Sequence, residues 1–213
     1  MRTYLAPLGF DSRRVIRPVL SEGLDADDEV VILRPSTKSN RGKDALKEVE
    51  GILTQVSPDL TLQTESLPHT DFVETVLCCT DLIQAANGET FVILGGGARE
   101  LLFPLVVATF SGEQHVDTIL QVSDIDGTVR RLPKLNLRGN ATDAEGDLLS
   151  NLMDLSTPLS ISQIADRMGK SKSTIARHVS NLEEEGLVET HPDGRAKSVV
   201  VTDSGRVFLK TMP

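Results

Sequence analysis

Short apolar segments alternate with amphipathic segments along the amino-terminal part of the sequence. The apolar segments have the length and composition of strands, and the amphipathic ones have helical periodicity. The predicted strands are 2–8, 29–33, 60–65, 90–94 and 116–122, and the predicted helices are 12–23, 41–56, 71–87 and 98–111. This alternation predicts a mostly parallel, Rossmann-like sheet with helices on both faces. A sixth strand, at about 128–135 after the Asp126-Gly127 turn signal, is predicted to be antiparallel.

Ligands of such sheets bind outside the carboxyl ends of the strands. The loops collected at that edge are 9–12, 36–41, 69–71 and 95–99. We therefore expect any ligand site of this part of the chain to be built from these four loops.

Three consecutive glycines, Gly95, Gly96 and Gly97, follow the fourth predicted strand and precede Arg99. Glycine weakens both strands and helices, so the run needs a reason. One reason is to expose the first amides of the next helix to an anion such as phosphate, with Arg99 as its partner. The alternative is tight packing of strand against helix. The sequence favours an anion or nucleotide site, and tight packing stays open as the other explanation of the glycines. The sequence contains neither GxGxxG nor GxxxxGK[ST], so neither a dinucleotide cofactor nor a P-loop is indicated.

The pattern changes after a polar segment at 138–146, which is predicted to be a linker between domains 1–137 and 147–213. Beyond it, helices are predicted at 144–155, at 161–169 and between the caps Ser171 and Gly186, followed by a hairpin and a short helix at 203–210. Two helices joined by a short turn and followed by a hairpin match a smaller α+β winged helix-turn-helix domain. Its inward-facing residues are predicted to be Ile161, Ile164, Ala165, Ile175, Val179 and Leu182.

The exposed face of the third of these helices is predicted to bind DNA. Between Arg167 and Asn181 the chain has four basic residues and no acidic one, although the whole sequence has a net charge of -9. Glu183, Glu184 and Glu185 should repel phosphates and end the contact surface. The predicted DNA-binding residues are Lys170, Lys172, Ser173, Arg177, His178, Asn181, and, in the wing, Arg195 and Lys197. The alternative for the winged helix is a role in protein interaction instead of DNA binding. The alternative for Arg195 and Lys197 is that they lie in a solvated turn and contact no DNA.

Composition limits the remaining classes of function. Adjacent Cys78 and Cys79 are the only cysteines, which predicts core or semi-buried thiols and no disulfide framework, metal cluster or cofactor. We expect a cytoplasmic protein without a membrane span, because no apolar run of about 18 residues occurs. The acidic composition, with 14 Arg and 8 Lys, is similar to that of proteins from salt-loving archaea.

The combination of PLGFDSRRV, ILGGGARE and SKSTIARHVSNLEEEGLV resembles one family in particular. It is similar to the archaeal CRISPR-associated regulators of antiviral defence, in which a CARF domain precedes a winged helix. The resemblance implies a homodimeric transcriptional regulator of cas genes, not an enzyme, that binds double-stranded promoter DNA. It also implies a shared pocket for a cyclic oligoadenylate, most simply cyclic tetra-adenylate. The implied pocket residues are Leu8, Gly9, Phe10, Asp11, Gly95, Gly96, Gly97 and Arg99, with Ser12, Arg13 and loop 36–41 as extensions.

Two other functions stay open at this stage. One is a winged-helix repressor that senses another nucleotide or a small anion. The other is a CARF ring nuclease with a DNA-docking domain, because in-line attack by a ribose hydroxyl needs only positioning.

Overall fold

A computed structural model of the chain describes residues 1–37, 39–153, 157–193 and 196–211. The chain divides into two units, Met1–Lys134 and Leu135–Pro213. Each unit has a hydrophobic core of its own. Along the described ranges, no helix combines the length and the apolar character needed to cross a bilayer.

The first unit is a six-stranded sheet in the order β3-β2-β1-β4-β5-β6. Its strands are β1 Arg2–Pro7, β2 Glu29–Pro35, β3 Thr61–Leu67, β4 Glu89–Leu94, β5 Thr118–Val122 and β6 Val129–Leu132. The first five strands are parallel, and β6 pairs antiparallel with β5. The predicted Rossmann-like, mostly parallel fold with an antiparallel sixth strand is confirmed.

Helices cover both faces of this sheet because successive strand residues point to opposite sides. The helices are α1 Arg13–Glu22, α2 Asn40–Val56, α3 Phe72–Ala85 and α4 Arg99–Ser111. Tyr4 and Ala6 of β1 pack with α1 and α2, whereas Leu5 packs with α3 and α4. A short 3-10 helix at Glu113–His115, which the sequence did not predict, precedes β5.

The second unit is a winged helix-turn-helix with a three-stranded sheet in the order β7-β9-β8. Its elements are α5 Asp143–Met153, β7 Leu159–Ser160, α6 Ile161–Met168, α7 Lys172–Glu184, β8 Val188–Asp193, β9 Ala196–Val201 and α8 Asp203–Thr211. Five of the six residues predicted to face inward are buried, and Ile161 packs at the margin of the same core. The predicted fold class of this unit is confirmed as well.

Local signals set the ends of α6 and α7. Ser160 and Gln163 form a capping box at the start of α6, and Gly169 ends it in the left-handed conformation with φ 62°. Ser171 caps α7, as predicted, by accepting a hydrogen bond from the Thr174 amide. The helix itself ends at Glu184, so Gly186, with φ 67°, lies just beyond the cap rather than at it.

The segment predicted to be a linker lies inside the second unit. The Asn136 amide donates to Ser204 Oγ at 3.0 Å, and the Asn140 amide donates to Glu185 Oε2 at 2.9 Å. These bonds tie the chain before α5 to the end of α7 and to α8. The division between the units therefore falls after Lys134, before the predicted segment 138–146.

Candidate functional site

An open cleft of about 930 Å3 lies at the carboxyl edge of the first unit's sheet. It is centred where β1 and β4 lie side by side, with α1 leaving towards one face of the sheet and α4 towards the other. Doubly wound sheets bind ligands at this switch point because the diverging connections leave a crevice. All nine residues predicted to bind the ligand line the cleft: Leu8, Gly9, Phe10, Asp11, Ser12, Gly95, Gly96, Gly97 and Arg99.

These residues differ in the surface that they offer to a ligand. The side chains of Leu8 and Ser12 are almost fully buried, and Leu8 belongs to the core under α1 and α2. Phe10 and Arg99, by contrast, are exposed. The cleft also contains residues that the sequence analysis did not select, among them Arg14, Arg34 and Gln121. Their positions could have identified them from the sequence. Arg34 and Gln121 lie near the carboxyl ends of β2 and β5, and Arg14 lies in the first turn of α1.

Arginine dominates the charge of the cleft. Five arginines and three carboxylates line it: Arg13, Arg14, Arg34, Arg41, Arg99, Asp11, Glu48 and Asp124. Arg14 is held by Asp124 at 2.6 Å, and Arg13 is held by Asp11 at 2.9 Å. Arg34, Arg41 and Arg99 form no ion pair with any residue in the described ranges. The cleft is therefore electropositive inside an acidic protein, which favours an anionic ligand.

Asp11 has a structural role at the edge of the cleft. Its carboxylate accepts hydrogen bonds from the Arg13 side chain at 2.9 Å and from the Arg13 amide at 3.2 Å, in the first turn of α1. The hydrogen bond from the Arg13 side chain is the main cause that lowers the pKa of Asp11. The charged carboxylate thus orients Arg13 and accepts from the first amide of α1, and its own charge is compensated by Arg13.

The first turn of α4 presents free amides at the cleft. Helices α2 and α3 are capped by the side chains of Ser39 and Asp71, whereas the residue before α4 is Ala98, which has no capping group. The amides of Arg99 and Glu100 have no hydrogen-bond acceptor within the part of the chain that the structure describes. Because the amino end of a helix carries partial positive charge, these two donors complement the arginines.

Packing alone accounts for each glycine of the run. A Cβ atom on Gly95 would lie 2.5 Å from Val122 Cβ, and one on Gly96 would lie 2.9 Å from Arg14 Cβ. Gly97 has φ 86°, and its Cβ would lie 2.7 Å from Pro7 Cβ. The glycines therefore do not discriminate between tight packing and an anion site. The case for an anion depends instead on the unpaired arginines and on the free amides of α4.

The second unit carries an exposed basic surface on α6, α7 and the turn between them. Arg167, Lys170, Lys172 and Arg177 are all exposed, and among the described residues none of them forms an ion pair. Ser173, Ala176, Arg177 and Ser180 form one stripe of α7 at the spacing i, i+3, i+4 and i+7. Ala176 and Ser180 were not among the predicted DNA-binding residues, although the same helical spacing could have identified them.

His178 is not on the exposed face where it was predicted. Its side chain is 15% exposed, and its Nδ1 atom lies 3.3 Å from Oε1 of Glu145 on α5. Asn181 is exposed, but its Nδ2 atom donates to the same oxygen at 2.8 Å. Since the side chains at i and i+3 of a helix share a face, both residues turn towards α5. Their shared partner, a buried carboxylate 33 and 36 positions away, could not be identified from local pattern.

Glu145 itself is almost fully buried. Burial acts to raise its pKa, but hydrogen bonds from the Thr142 amide and hydroxyl, from Asn181 and from His178 outweigh it and lower the pKa to about 2. The carboxylate therefore stays ionised and ties α7 to α5 at neutral pH.

Two of the three glutamates that end α7 have structural partners. Glu183 accepts from the amide and the hydroxyl of Thr190, and Glu185 accepts from the Asn140 amide. Their positions are thus explained without DNA. In the wing, Lys197 is exposed on β9, and Arg195 lies outside the described residues.

The cysteines have the predicted environment. Cys78 is half-buried and Cys79 is buried, and burial raises the pKa of Cys79 to about 12. Within the described ranges, no group of histidine, cysteine and carboxylate side chains is placed to hold a metal ion.

The fold and the cleft define a class of protein: a Rossmann-like domain with a basic crevice at its switch point, followed along the chain by a winged helix. Residues 2–129 match the family described as the Csa3 CRISPR-associated Rossmann-like domain. This match extends over more than half of the sequence, and the chain belongs to that family. Residues 141–205 match a second family, described as HVO_A0114.

Several solved structures are similar to about a third of the chain. A MepR–DNA complex from S. aureus is 22% identical, over 34% of this chain and 55% of that one, with a TM-score of 0.33. The PcaV transcriptional regulator from Streptomyces coelicolor is 29% identical, over 33% and 51%, with a TM-score of 0.31. A MarR-family regulator from Rhodococcus sp. RHA1 is 25% identical, over 33% and 51%, with a TM-score of 0.31. The chain spans about half the length of these proteins, and it matches no curated protein.

We expect Gly97→Ala to destabilise the first unit. The added methyl group would meet Pro7 in a backbone conformation that L residues rarely adopt, which costs on the order of 1–3 kcal/mol. Urea denaturation followed by circular dichroism measures the change. The matched control is Gly51→Ala in α2, where nothing lies within 4 Å of the new atom and stability should stay the same or rise. Equal stability of the two variants would contradict the packing account.

We expect Glu145→Gln to remove a pH-dependent part of stability. The folded-state pKa of about 2 is below the ordinary value of 4.5, so the contribution is complete above about pH 4.5 and is lost as the pH falls towards 2. At pH 7 the variant should be less stable by roughly 1–3 kcal/mol, and the difference should shrink on acidification. Urea denaturation between pH 7 and pH 3 measures it, with Asp147→Asn, an exposed carboxylate of the same helix, as control. If the stability difference between the unaltered protein and Glu145→Gln stays constant with pH, the ionised Glu145 carboxylate does not stabilise the fold as expected.

Proposed function

We propose that this protein is a ligand-responsive, DNA-binding transcriptional regulator of CRISPR-cas genes. In this proposal the first unit senses a cyclic oligoadenylate, most simply cyclic tetra-adenylate, and the second unit binds promoter DNA. The observation that carries it is the cleft at the switch point. It is lined by Arg34, Arg41 and Arg99, which have no ion-pair partner among the described residues, and by the first turn of α4, where the amides of Arg99 and Glu100 have no acceptor among those residues. Membership of a CRISPR-associated family supports the biological setting.

The chemistry of the cleft suits a large phosphate-containing ligand. Arginine side chains and helix amides are the donors that proteins use for phosphate oxygens. The volume of about 930 Å3 is near the upper end of the range of about 300–1,000 Å3 for small-molecule pockets. A cyclic tetranucleotide has four phosphodiesters and a possible two-fold axis, so each of two subunits would supply one set of donors.

An exposed apolar surface on α3 and α4 supports the homodimer. From Leu101 to Phe110, α4 reads LLFPLVVATF, and a helix that is apolar on all sides is normally buried. Five large apolar side chains of the two helices are nevertheless more than 40% exposed: Phe72, Val73, Leu77, Phe103 and Val107. The amino end of α4 lines the cleft, so a second copy that covers this surface would lie next to the ligand.

The basic surface of the second unit supports DNA binding. Its four exposed cations can neutralise phosphates, and the small side chains of Ser173, Ala176 and Ser180 let α7 approach base edges closely. The ligand would act by binding two arrangements of the dimer with different affinity, which changes DNA affinity by about 5- to 150-fold in typical cases.

In this proposal the protein senses the ligand and does not cleave it, so cyclic tetra-adenylate should be recovered intact after incubation.

Titration calorimetry with cyclic tetra-adenylate tests the ligand site. We expect one ligand per two chains, and we expect Arg99→Ala to weaken binding by about 1.5–3 kcal/mol through loss of a charged donor. The melting temperature should change little, since Arg99 is exposed. The control is Arg130→Ala on β6, an exposed arginine outside the cleft. No binding by the unaltered protein, or equal binding by both variants, would refute the proposed site.

Salt-dependent binding to the protein's own upstream DNA tests the second unit. Arg177→Gln should weaken binding to specific and nonspecific DNA alike, and it should reduce the slope of log K against log salt by about one unit. Arg206→Gln, an exposed arginine on α8, should leave the slope unchanged. An unaltered slope in the Arg177 variant would move the DNA surface elsewhere.

A further inference from the structure

An exposed phenylalanine stands at the edge of the arginine-lined cleft. Phe10 lies in the loop that follows β1, and it is 59% exposed. It belongs to neither hydrophobic core of the first unit, although aromatic residues make up only 3% of the sequence. Burial in the core therefore does not explain why this loop has an aromatic ring.

Arg41 covers one side of this ring. Its Cζ atom lies 4.6 Å from the centroid of Phe10, within the distance of a cation–π contact. Arg41 comes from the first turn of α2, whereas Phe10 lies in the loop before α1, so two segments that are distant in sequence bring the pair together. The guanidinium makes no ion pair with another described residue, which leaves its charge available to a ligand.

Phosphate recognition does not require the ring of Phe10. The phosphate donors of the cleft are the arginines and the amides of α4, and an inorganic anion or a sugar phosphate has no flat surface to place against a ring. A nucleobase does, because every base has a π-face that stacks on aromatic and guanidinium groups.

We propose that Phe10 and Arg41 form a stacking platform for a purine base of the ligand. The cleft then distinguishes a nucleotide from a bare anion by combining a π-surface with phosphate donors. That the ligand is a cyclic oligoadenylate rests on the proposed function. The stacking platform itself requires only that the ligand contain a nucleotide base. It makes Phe10 a determinant of specificity, while Arg99 contributes to affinity for any anion.

Two variants of Phe10 test the platform. Phe10→Leu keeps an apolar side chain and removes the π-surface. Phe10→Trp keeps a π-surface and adds the only tryptophan of the chain, so its fluorescence reports on a base that stacks there. Both variants are titrated with cyclic tetra-adenylate, adenosine 5′-monophosphate and inorganic pyrophosphate, and the mass of each variant in solution is measured.

We expect Phe10→Leu to weaken cyclic tetra-adenylate binding about tenfold or more and to leave pyrophosphate binding unchanged. Phe10→Trp should retain the affinity, and cyclic tetra-adenylate but not pyrophosphate should quench its fluorescence. Unchanged affinity of Phe10→Leu for the cyclic nucleotide would overturn the platform. A change in its oligomeric mass instead of its affinity would also overturn it, because Phe10 would then contact a second copy of the chain.

The same titrations separate this inference from the proposed function. If the unaltered protein does not bind cyclic tetra-adenylate, the proposed ligand is wrong, and adenosine 5′-monophosphate decides the platform. Quenching of the Phe10→Trp fluorescence by the mononucleotide, without quenching by pyrophosphate, would support stacking of another nucleotide. Absence of quenching by either nucleotide would overturn the platform too.

Discussion

The contact between Gly97 and Pro7 sets the geometry of the cleft in the first unit. At this point the turn from β4 to α4 lies against the end of β1, closer than any side chain on Gly97 would permit. Gly9 approaches the same turn, with its would-be Cβ 3.2 Å from Gly97 Cα. Because the two loops touch through backbone, the start of α4 and the loop after β1 lie beside each other at the switch point. The free amides and Arg99 are placed in the cleft as a consequence.

Compensated and uncompensated charges are separated within this cleft. Asp11 and Asp124 hold Arg13 and Arg14, so these arginines also serve the structure around α1. Arg34, Arg41 and Arg99 have no such partner among the described residues, and a phosphate would compensate them at little cost in lost ion pairs. The cleft is thus attractive to anions even though the protein as a whole carries a net charge of -9.

A buried carboxylate has the corresponding role in the second unit. Glu145 binds two side chains of α7, His178 and Asn181, and orients them towards α5. The outward stripe of α7 is therefore composed of small residues and Arg177, which can come close to a DNA groove. Two of the acidic residues that follow, Glu183 and Glu185, accept hydrogen bonds from Thr190 and Asn140, so they stabilise the wing and the segment before α5.

Sequence alone determined the architecture of both units. Alternation of strand and helix requires a parallel sheet, and capping residues such as Ser171 and Gly169 mark helix ends through contacts within a few positions. It also predicted that loops 9–12, 36–41 and 95–99 meet at the cleft, because parallel strands place their carboxyl ends at one edge. Loop 69–71, which was expected at the same site, does not line the cleft, whereas Asp124 after β5 does. Tertiary structure decided which arginines are unpaired, that packing explains all three glycines, and that His178 faces inward. These outcomes depend on partners such as Asp124, Val122 and Glu145, which lie far away in sequence, and local periodicity carries no information about such distant contacts.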